Sequence, residues 1–141
     1  MITVFSGAVP FDGVRMRPGR CVVVQAGRVV GLAEMMNYPG VLSGDSAVLQ
    51  KIAAAREAGK IIDGHAPGLS GPGLQAYLAC GISTDHECVT AAEALEKARG
   101  GMKVIIRQGT AAQNLAALLP AVETAGSERF MLGSDDKEAA A

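Results

Sequence analysis

The two histidines of this chain, His65 and His86, are the residues whose type and position best suit chemistry. Each stands where a short apolar run ends, Ile61–Ile62 before His65 and Ile82 before His86. In a parallel α/β array the carboxyl ends of the strands lie on one face, and sites are built there. Imidazole is the commonest side-chain ligand of protein-bound metals. Two imidazoles at one rim therefore predict a metal site.

Further apolar runs also end at ionisable side chains, namely Glu34, Arg107 and Asp135. Because right-handed crossovers place successive parallel strands side by side, we expect the two histidines to converge with Glu34 and Asp135. Two imidazoles and two carboxylates suit a divalent cation such as Zn, Mn or Fe. Such an ion lowers the pKa of water from about 15.7 to about 7. A nearby carboxylate can then carry the proton to a leaving group.

Taken singly, each of these residues has an ordinary explanation. A lone histidine in a loop is more often a surface residue, Glu34 is a solvated carboxylate or a helix start, and Asp135 with Asp136 forms a turn. Arg107 is more simply a charge-balancing residue than a substrate-binding one. The coincidence of ionisable groups at successive strand ends is what favours the metal site.

Helix signals fill the intervals between the apolar runs. Asp45 or Ser46 is expected to begin a helix running to about Ala58, and later helices are expected to begin at Ser70, Thr90 and Thr110. Pro39, Gly40 and Gly44 predict a loop, and Pro120 predicts a kink or an early end in the last helix. The chain is therefore predicted to be an α/β array of about five parallel βα units.

The segment before Glu34 admits two interpretations. Val22–Val24 and Val29–Val30 flank Ala26–Gly27, which is typical of a β-hairpin. Equally, Val29–Leu32 fits a buried parallel strand that ends at Glu34. We divide the chain into a β-rich N-terminal segment (residues 1–27), the βα units (residues 28–136) and a frayed tail (residues 137–141).

Composition limits the classes of partner. Thirteen basic and 14 acidic residues nearly cancel and Trp is absent, so nucleic acid and anionic membranes are not expected as partners. The three cysteines show no metal-finger spacing and are interpreted as free thiols in a reducing cytosol. No signal peptide is visible, and no apolar run reaches the about 20 residues of a membrane span. We therefore expect a cytoplasmic protein.

The length of the chain limits its fold. Its 141 residues suffice for one domain but not for a complete eight-fold barrel, which needs about 250.

Four segments resemble the bacterial adenine deaminases of the amidohydrolase superfamily, in collinear order. They are GLAEMMNYPGV (31–41), IDGHAPGLSG (62–71), AYLACGISTDHE (76–87) and IIRQGTAAQNL (105–115). The resemblance implies a partial (β/α) barrel of the amidohydrolase type, with the short β-rich segment in front. It also implies metal-dependent hydrolysis of adenine to hypoxanthine and ammonia in purine salvage, with a purine base as the small-molecule ligand.

The resemblance also implies roles for individual residues. Glu34 would be a bridging carboxylate, His65 and His86 metal ligands, and Asp135 a ligand that shuttles protons, so Glu34 and Asp135 are the implied catalytic residues. Asp136 matches the second aspartate of the motif and is, with Arg107, a weak candidate for substrate binding. Manganese is the metal that the resemblance favours. The implied mechanism is attack of hydroxide on C6 of adenine, protonation of the ring nitrogen and the amine, and loss of ammonia.

The chain departs from this family in its histidines. The family carries an H-x-H pair on its first strand, whereas both histidines here are already assigned. We therefore expect half a barrel with at most four ligands for one ion and weak or no activity, as a fragment, the product of a decayed gene or an artificial chain. Two alternatives are a half-barrel that binds metal without catalysis or self-associates through exposed sheet edges, and a deaminase of another aminopurine.

Overall fold

The computed structural model describes residues 2–5, 22–25 and 28–136, with side chains from residue 29 onward. The strands are β1 (Ile2–Phe5), β2 (Val22–Gln25), β3 (Arg28–Met35), β4 (Ile61–Gly64), β5 (Thr84–Asp85), β6 (Lys103–Arg107) and β7 (Phe130–Gly133). The helices are α1 (Tyr38–Leu42), α2 (Ser46–Glu57), α3 (Gly71–Ala79), α4 (Ala91–Arg99) and α5 (Leu115–Ala125), with a 3-10 turn at Ser127–Arg129. Cys21, the Ala26–Gly27 turn and the tail predicted at residues 137–141 lie outside the described residues.

The strands form two sheets, ordered β1-β2-β3-β4 and β5-β6-β7. β1 pairs with β2 and β2 with β3 antiparallel, whereas β3 pairs with β4, β5 with β6 and β6 with β7 in parallel. The strand pairings of both interpretations occur, because β3 is at once the antiparallel partner of β2 and the parallel partner of β4. The strand is not buried as predicted, since Val29 is 50% exposed and residues 30–34 are half-buried, and it ends at Met35. The α/β class with parallel strands is confirmed. Within the described ranges the strands do not close into a barrel.

β4 and β5 lie side by side although they belong to different sheets. The Ser83 amide donates to the Ile62 carbonyl at 3.1 Å, and the Gly64 amide donates to Thr84 Oγ1 at 3.3 Å. A Cβ at Gly64 would lie 2.3 Å from the Thr84 carbonyl oxygen, so only glycine allows this approach. The ends of β3 to β7 are therefore neighbours in chain order.

The helices cover one face of the strands. Ile62 on β4 is buried in one apolar cluster with residues of α1 to α3, and Val104 and Ile106 on β6 are buried in a second with residues of α4 and α5. The opposite face is open, since Ile61 is 61% exposed and Met131 is 42% exposed. No helix in the described part of the chain is long and apolar enough to cross a membrane.

Two local predictions about helices were wrong, and the early end that was one of the two outcomes predicted at Pro120 does not occur. The loop predicted from Pro39 and Gly40 is helix α1, because proline is tolerated in a first turn and the Asn37 side chain accepts the Gly40 amide at 3.0 Å. The last helix begins after Asn114 and not at Thr110, since the Gly109 amide donates to the Ala112 carbonyl and closes a turn there. That helix also continues through Pro120 to Ala125.

Other helix starts follow the sequence. The Asp45 carboxylate accepts the Val48 amide at 3.0 Å at the beginning of α2, and Thr90 Oγ1 accepts the Glu93 amide at 3.3 Å at the beginning of α4. Ser70 precedes α3 without a side-chain capping bond. These starts fix where each helix returns the chain to the next strand.

Candidate functional site

Three of the predicted ligands meet at the carboxyl ends of β3, β4 and β5. Glu34, His65 and His86 each place a ligand atom within 4.8 Å of the other two. His86 Nε2 lies 3.4 Å from Glu34 Oε1, and the two imidazole rings stand edge to face with centroids 5.4 Å apart. We call these three residues the histidine corner. Ligands of one zinc-like ion lie about 3.5 Å from each other, so the separation suits a shared cation.

An orphaned nitrogen marks the histidine corner as a place for a ligand. His65 Nδ1 is buried and has no hydrogen-bond partner among the described residues. Glu87 Oε1 approaches it at 3.5 Å, but that contact lacks hydrogen-bond geometry. A buried polar atom without a partner is costly, and a metal bond would satisfy this one. The donor set of two imidazoles and a carboxylate therefore fits a divalent ion.

A second group of ionisable side chains lies at the carboxyl ends of β5, β6 and β7. Arg107 Nη1 donates to Glu87 Oε1 at 2.7 Å and to Asp135 Oδ2 at 3.0 Å, while Nη2 donates to Glu87 Oε2 at 3.1 Å. We call Glu87, Arg107 and Asp135 the arginine corner. Burial by itself would lower the pKa of Arg107, but its hydrogen bond to Asp135 and the charge of Glu87 raise it. The guanidinium thus stays charged and balances both carboxylates.

His86 belongs to the histidine corner and also lies next to the arginine corner. Its Nε2 lies 3.4 Å from Glu87 Oε1, and ligand atoms of His86, Glu87 and Asp135 fall within 4.8 Å of one another. Among the described residues, no single group of mutually close ligand atoms contains all four of the predicted ligands. Asp135 therefore lies beside His86 but is not clustered with Glu34 and His65.

The two predicted catalytic carboxylates, Glu34 and Asp135, share an unusual backbone conformation. Glu34 has a φ of 40° and Asp135 a φ of 57°, and they are the non-glycine residues with positive φ in the described part of the chain. Asp135 is the central residue of a three-residue turn that the Asp136 amide closes on the Ser134 carbonyl at 2.8 Å. Residues in this conformation are strained by about 1–3 kcal/mol and cluster at functional sites.

Asp136 faces the loop between β6 and α5. Its Oδ2 accepts the Ala111 amide at 2.9 Å, and a Cβ at Gly109 would lie 2.2 Å from its Oδ1. The structure thus gives this carboxylate a contact with backbone, and its part in substrate binding stays a prediction.

Glu87 was missed as a functional residue by sequence reasoning. It contacts His65, His86 and Arg107 and so joins the two corners. The available signal was its place directly after His86, at the end of the same apolar run. Nearby Cys88 is fully buried, and burial raises the pKa of its thiol, so it is not a nucleophile at neutral pH.

Comparison with known proteins places this geometry in a family. The model of the amidohydrolase family matches residues 12–140. The chain is 58% identical to an adenine deaminase of Desulfatibacillum aliphaticivorans over 110 residues, which are 78% of this chain and 19% of that protein. It is 54% identical over 112 residues to an adenine deaminase of Dehalococcoides mccartyi strain CBDB1, covering 79% of this chain and 19% of the relative. An adenine deaminase of Lysinibacillus sphaericus strain C3-41 is 50% identical over 110 residues, again 78% and 19%.

The chain spans about a fifth of the length of these curated relatives. Amidohydrolases generally depend on divalent metals, and the histidine corner offers a group of side chains able to hold one. The match covers nearly the whole chain, including every strand end described above. The chain belongs to the amidohydrolase family.

Proposed function

We propose that this chain carries part of the metal-binding barrel of an adenine deaminase, which hydrolyses adenine to hypoxanthine and ammonia in purine salvage. The observation that carries the proposal is the histidine corner, where His65 Nδ1 is buried without a hydrogen bond beside His86 and Glu34. The relatives named adenine deaminase support the choice of adenine as substrate over another aminopurine.

In this proposal His65, His86 and Glu34 hold one divalent ion, and Asp135 is a fourth ligand within reach of His86. Mn is the favoured metal, with Fe and Zn as the alternatives. The bound ion supplies water of lowered pKa at neutral pH. The Asp135 carboxylate would take up a proton and return it to the purine, and the Arg107 hydrogen bond fixes that carboxylate in place. Ammonia leaves as the 6-amino group is replaced by oxygen.

The five strands β3 to β7 are proposed to be consecutive strands of a TIM barrel, with residues 1–27 as a separate β-rich segment. The parallel pairs β3–β4 and β5–β6–β7 support this assignment. Free thiols at Cys80 and Cys88 support a cytoplasmic location.

Ammonia release tests the activity. The purified chain is loaded with Mn²⁺, Fe²⁺ or Zn²⁺ and given adenine, with other aminopurines as a substrate panel. We expect slow ammonia release from adenine that is lost in the His65→Ala/His86→Ala double variant. Absence of release from every metal-loaded sample would overturn the activity and leave family membership intact.

A second candidate function is self-association of the half-barrel without catalysis. The observation in its favour is the open sheet face, where Ile61 and Met131 are exposed. A second copy of the chain is the proposed occupant of that face. Size-exclusion chromatography with light scattering tests this, since a strict monomer at high concentration would exclude it.

A further inference from the structure

The Tyr77 side chain links the ends of β3 and β4. It extends from α3, is fully buried, and donates its hydroxyl to the Met35 carbonyl at 3.0 Å. The same hydroxyl accepts the His65 backbone amide at 3.1 Å. Met35 directly follows Glu34, so one hydroxyl connects the backbone of His65 to the backbone next to Glu34. Burial raises the pKa of Tyr77, so the hydroxyl keeps its proton and remains a donor.

A buried ion pair links the ends of β4 and β5. Lys97 extends from α4, and its Nζ donates to the Ala66 carbonyl and to Asp85 Oδ2, each at 2.7 Å. Asp85 Oδ1 in turn accepts the Ala66 amide at 2.8 Å. Ala66 follows His65 and Asp85 precedes His86, and both ionised side chains are fully buried. Each histidine therefore has a backbone neighbour fixed by the same pair.

Glu93 completes the buried pair. It accepts Lys97 Nζ at 2.7 Å and the Gly68 amide at 2.8 Å, so the loop after His65 is tied to α4 a second time. Burial by itself would lower the pKa of Lys97, but the charge of Asp85 raises it, and the ammonium persists. A buried charge is tolerated only when it is paired and hydrogen-bonded in this way.

These side chains act where strand pairing is weakest. The β3–β4 ladder shifts register between Leu32 and Met35, immediately before the ligands, and β4 and β5 belong to different sheets. We propose that Tyr77 and Lys97 are positioning residues of the proposed metal site, which set the separation of Glu34, His65 and His86 from helices outside the strands. The inference rests on the proposed function for the identity of the ligand, but the positioning itself concerns the protein alone.

The conservative variant Tyr77→Phe is the main test, because it removes one hydroxyl and keeps the packing of the ring. Its matched control is Tyr38→Phe, the other tyrosine of the chain, since Met35 and His65 bond to the Tyr77 hydroxyl. The probe is Co²⁺, followed by calorimetry and by its visible absorption, which reports ligand geometry. We expect Tyr77→Phe to weaken Co²⁺ binding about tenfold and to change the spectrum. Tyr38→Phe should alter neither.

The stronger variant Lys97→Met removes the ammonium and keeps the chain length. Its control is Leu118→Ala, a buried change on α5 in the second apolar cluster, which lowers stability without removing any hydrogen bond of Tyr77 or Lys97. A purely structural role predicts that both variants retain the Co²⁺ affinity of the folded chain. We expect only Lys97→Met to lose it, about tenfold or more. If Lys97→Met does not fold, Tyr77→Phe decides.

A measurement without metal separates the two proposals. The chain has two histidines, so its imidazole NMR signals are few and assignable. If the parent binds no Co²⁺, the proposed metal function fails, and the imidazole signals still test positioning. We expect Tyr77→Phe to shift the His65 signals and Tyr38→Phe to leave them in place. Unchanged imidazole signals and unchanged Co²⁺ affinity in both Tyr77→Phe and Lys97→Met would overturn the inference.

Discussion

The two corners of the candidate site differ in how their charges are balanced. In the arginine corner, Arg107 donates hydrogen bonds to both Glu87 and Asp135 and needs no further cation. In the histidine corner, Glu34 faces the His86 imidazole at 3.4 Å, and His65 Nδ1 is left without a hydrogen bond. Among the described residues, each corner has one buried nitrogen without a hydrogen bond, Arg107 Nε and His65 Nδ1, and the corners differ in that the Glu34 carboxylate faces an imidazole whereas Glu87 and Asp135 face a guanidinium.

The corners also differ in how they are held. The arginine corner is fixed by ion pairs among its own members, because Arg107 contacts both Glu87 and Asp135. The histidine corner is fixed by residues outside it, since Tyr77 and the Lys97–Asp85 pair hydrogen-bond to the backbone at or next to its ligands. Substitutions at the two corners should therefore have opposite consequences for metal binding.

The largest expected effect is loss of metal from the histidine corner. The double variant His65→Ala/His86→Ala removes both imidazoles, and we expect bound Mn²⁺ to fall from about one ion per chain to none. Elemental analysis after dialysis measures this. The exposed Glu123→Gln on α5 is the control and should keep the parent's content. Equal metal content in the double variant would remove the distinction between the corners.

The next largest effect concerns stability. Lys97→Met leaves the fully buried Asp85 without its partner, which should lower the free energy of unfolding by about 3–5 kcal/mol. Lys103→Met is the control, because its ammonium contacts the exposed Glu128 carbonyl. A surface change of that kind should cost less than about 0.5 kcal/mol. Urea unfolding compares the two variants, and similar losses would show that burial of Lys97 contributes nothing special.

Arg107→Met should have the opposite effect on metal binding. Without the guanidinium, Glu87 and Asp135 are unbalanced next to His86, so a cation is attracted to the arginine corner. We expect Mn²⁺ affinity to rise about tenfold or a second ion to bind. Calorimetric titration measures both quantities. Weaker Mn²⁺ binding in this variant would mean that Arg107 supports the metal site and does not substitute for a cation.

The sequence singled out every corner residue except Glu87, because each of the others lies at the end of an apolar run, a local pattern that alternates with helix signals. It did not predict what holds them. Tyr77 and Met35 are 42 residues apart and Lys97 and Ala66 are 31 apart, and such partners leave no local pattern. Nothing in the sequence singled out Tyr77 or Lys97 within its helix.

Two helix errors have the same physical origin. Thr110 is a good capping residue by type, but the turn closed by Gly109 and Ala112 delays the helix to Asn114. Pro39 and Gly40 are loop residues by type, but Asn37 supplies the capping bond that makes them a first turn. In both places a specific hydrogen bond overrode the intrinsic preference of the residues.

A smaller effect is expected from alkaline pH. The pKa of Tyr77 and of Lys97 is raised in the folded chain, so above about pH 10 the unfolded chain releases protons that the folded chain keeps. Stability from both groups is thus present below pH 10 and falls as pH rises above it. Urea unfolding from pH 8 to pH 11 should show this decline, and Tyr77→Phe should make it shallower. The same slope in Tyr77→Phe would assign the decline to other groups.

The smallest expected effect distinguishes two neighbouring aspartates. Asp136 accepts the Ala111 amide in an exposed loop, so Asp136→Ala should cost about 1 kcal/mol of stability and leave Mn²⁺ affinity within about twofold. Asp135→Ala removes an arginine-corner carboxylate beside His86 and should change that affinity more. Titration of both variants under one condition compares them. A larger loss of Mn²⁺ affinity in Asp136→Ala would move the metal site toward the β6–α5 loop, because the ion would then depend on the carboxylate that holds that loop.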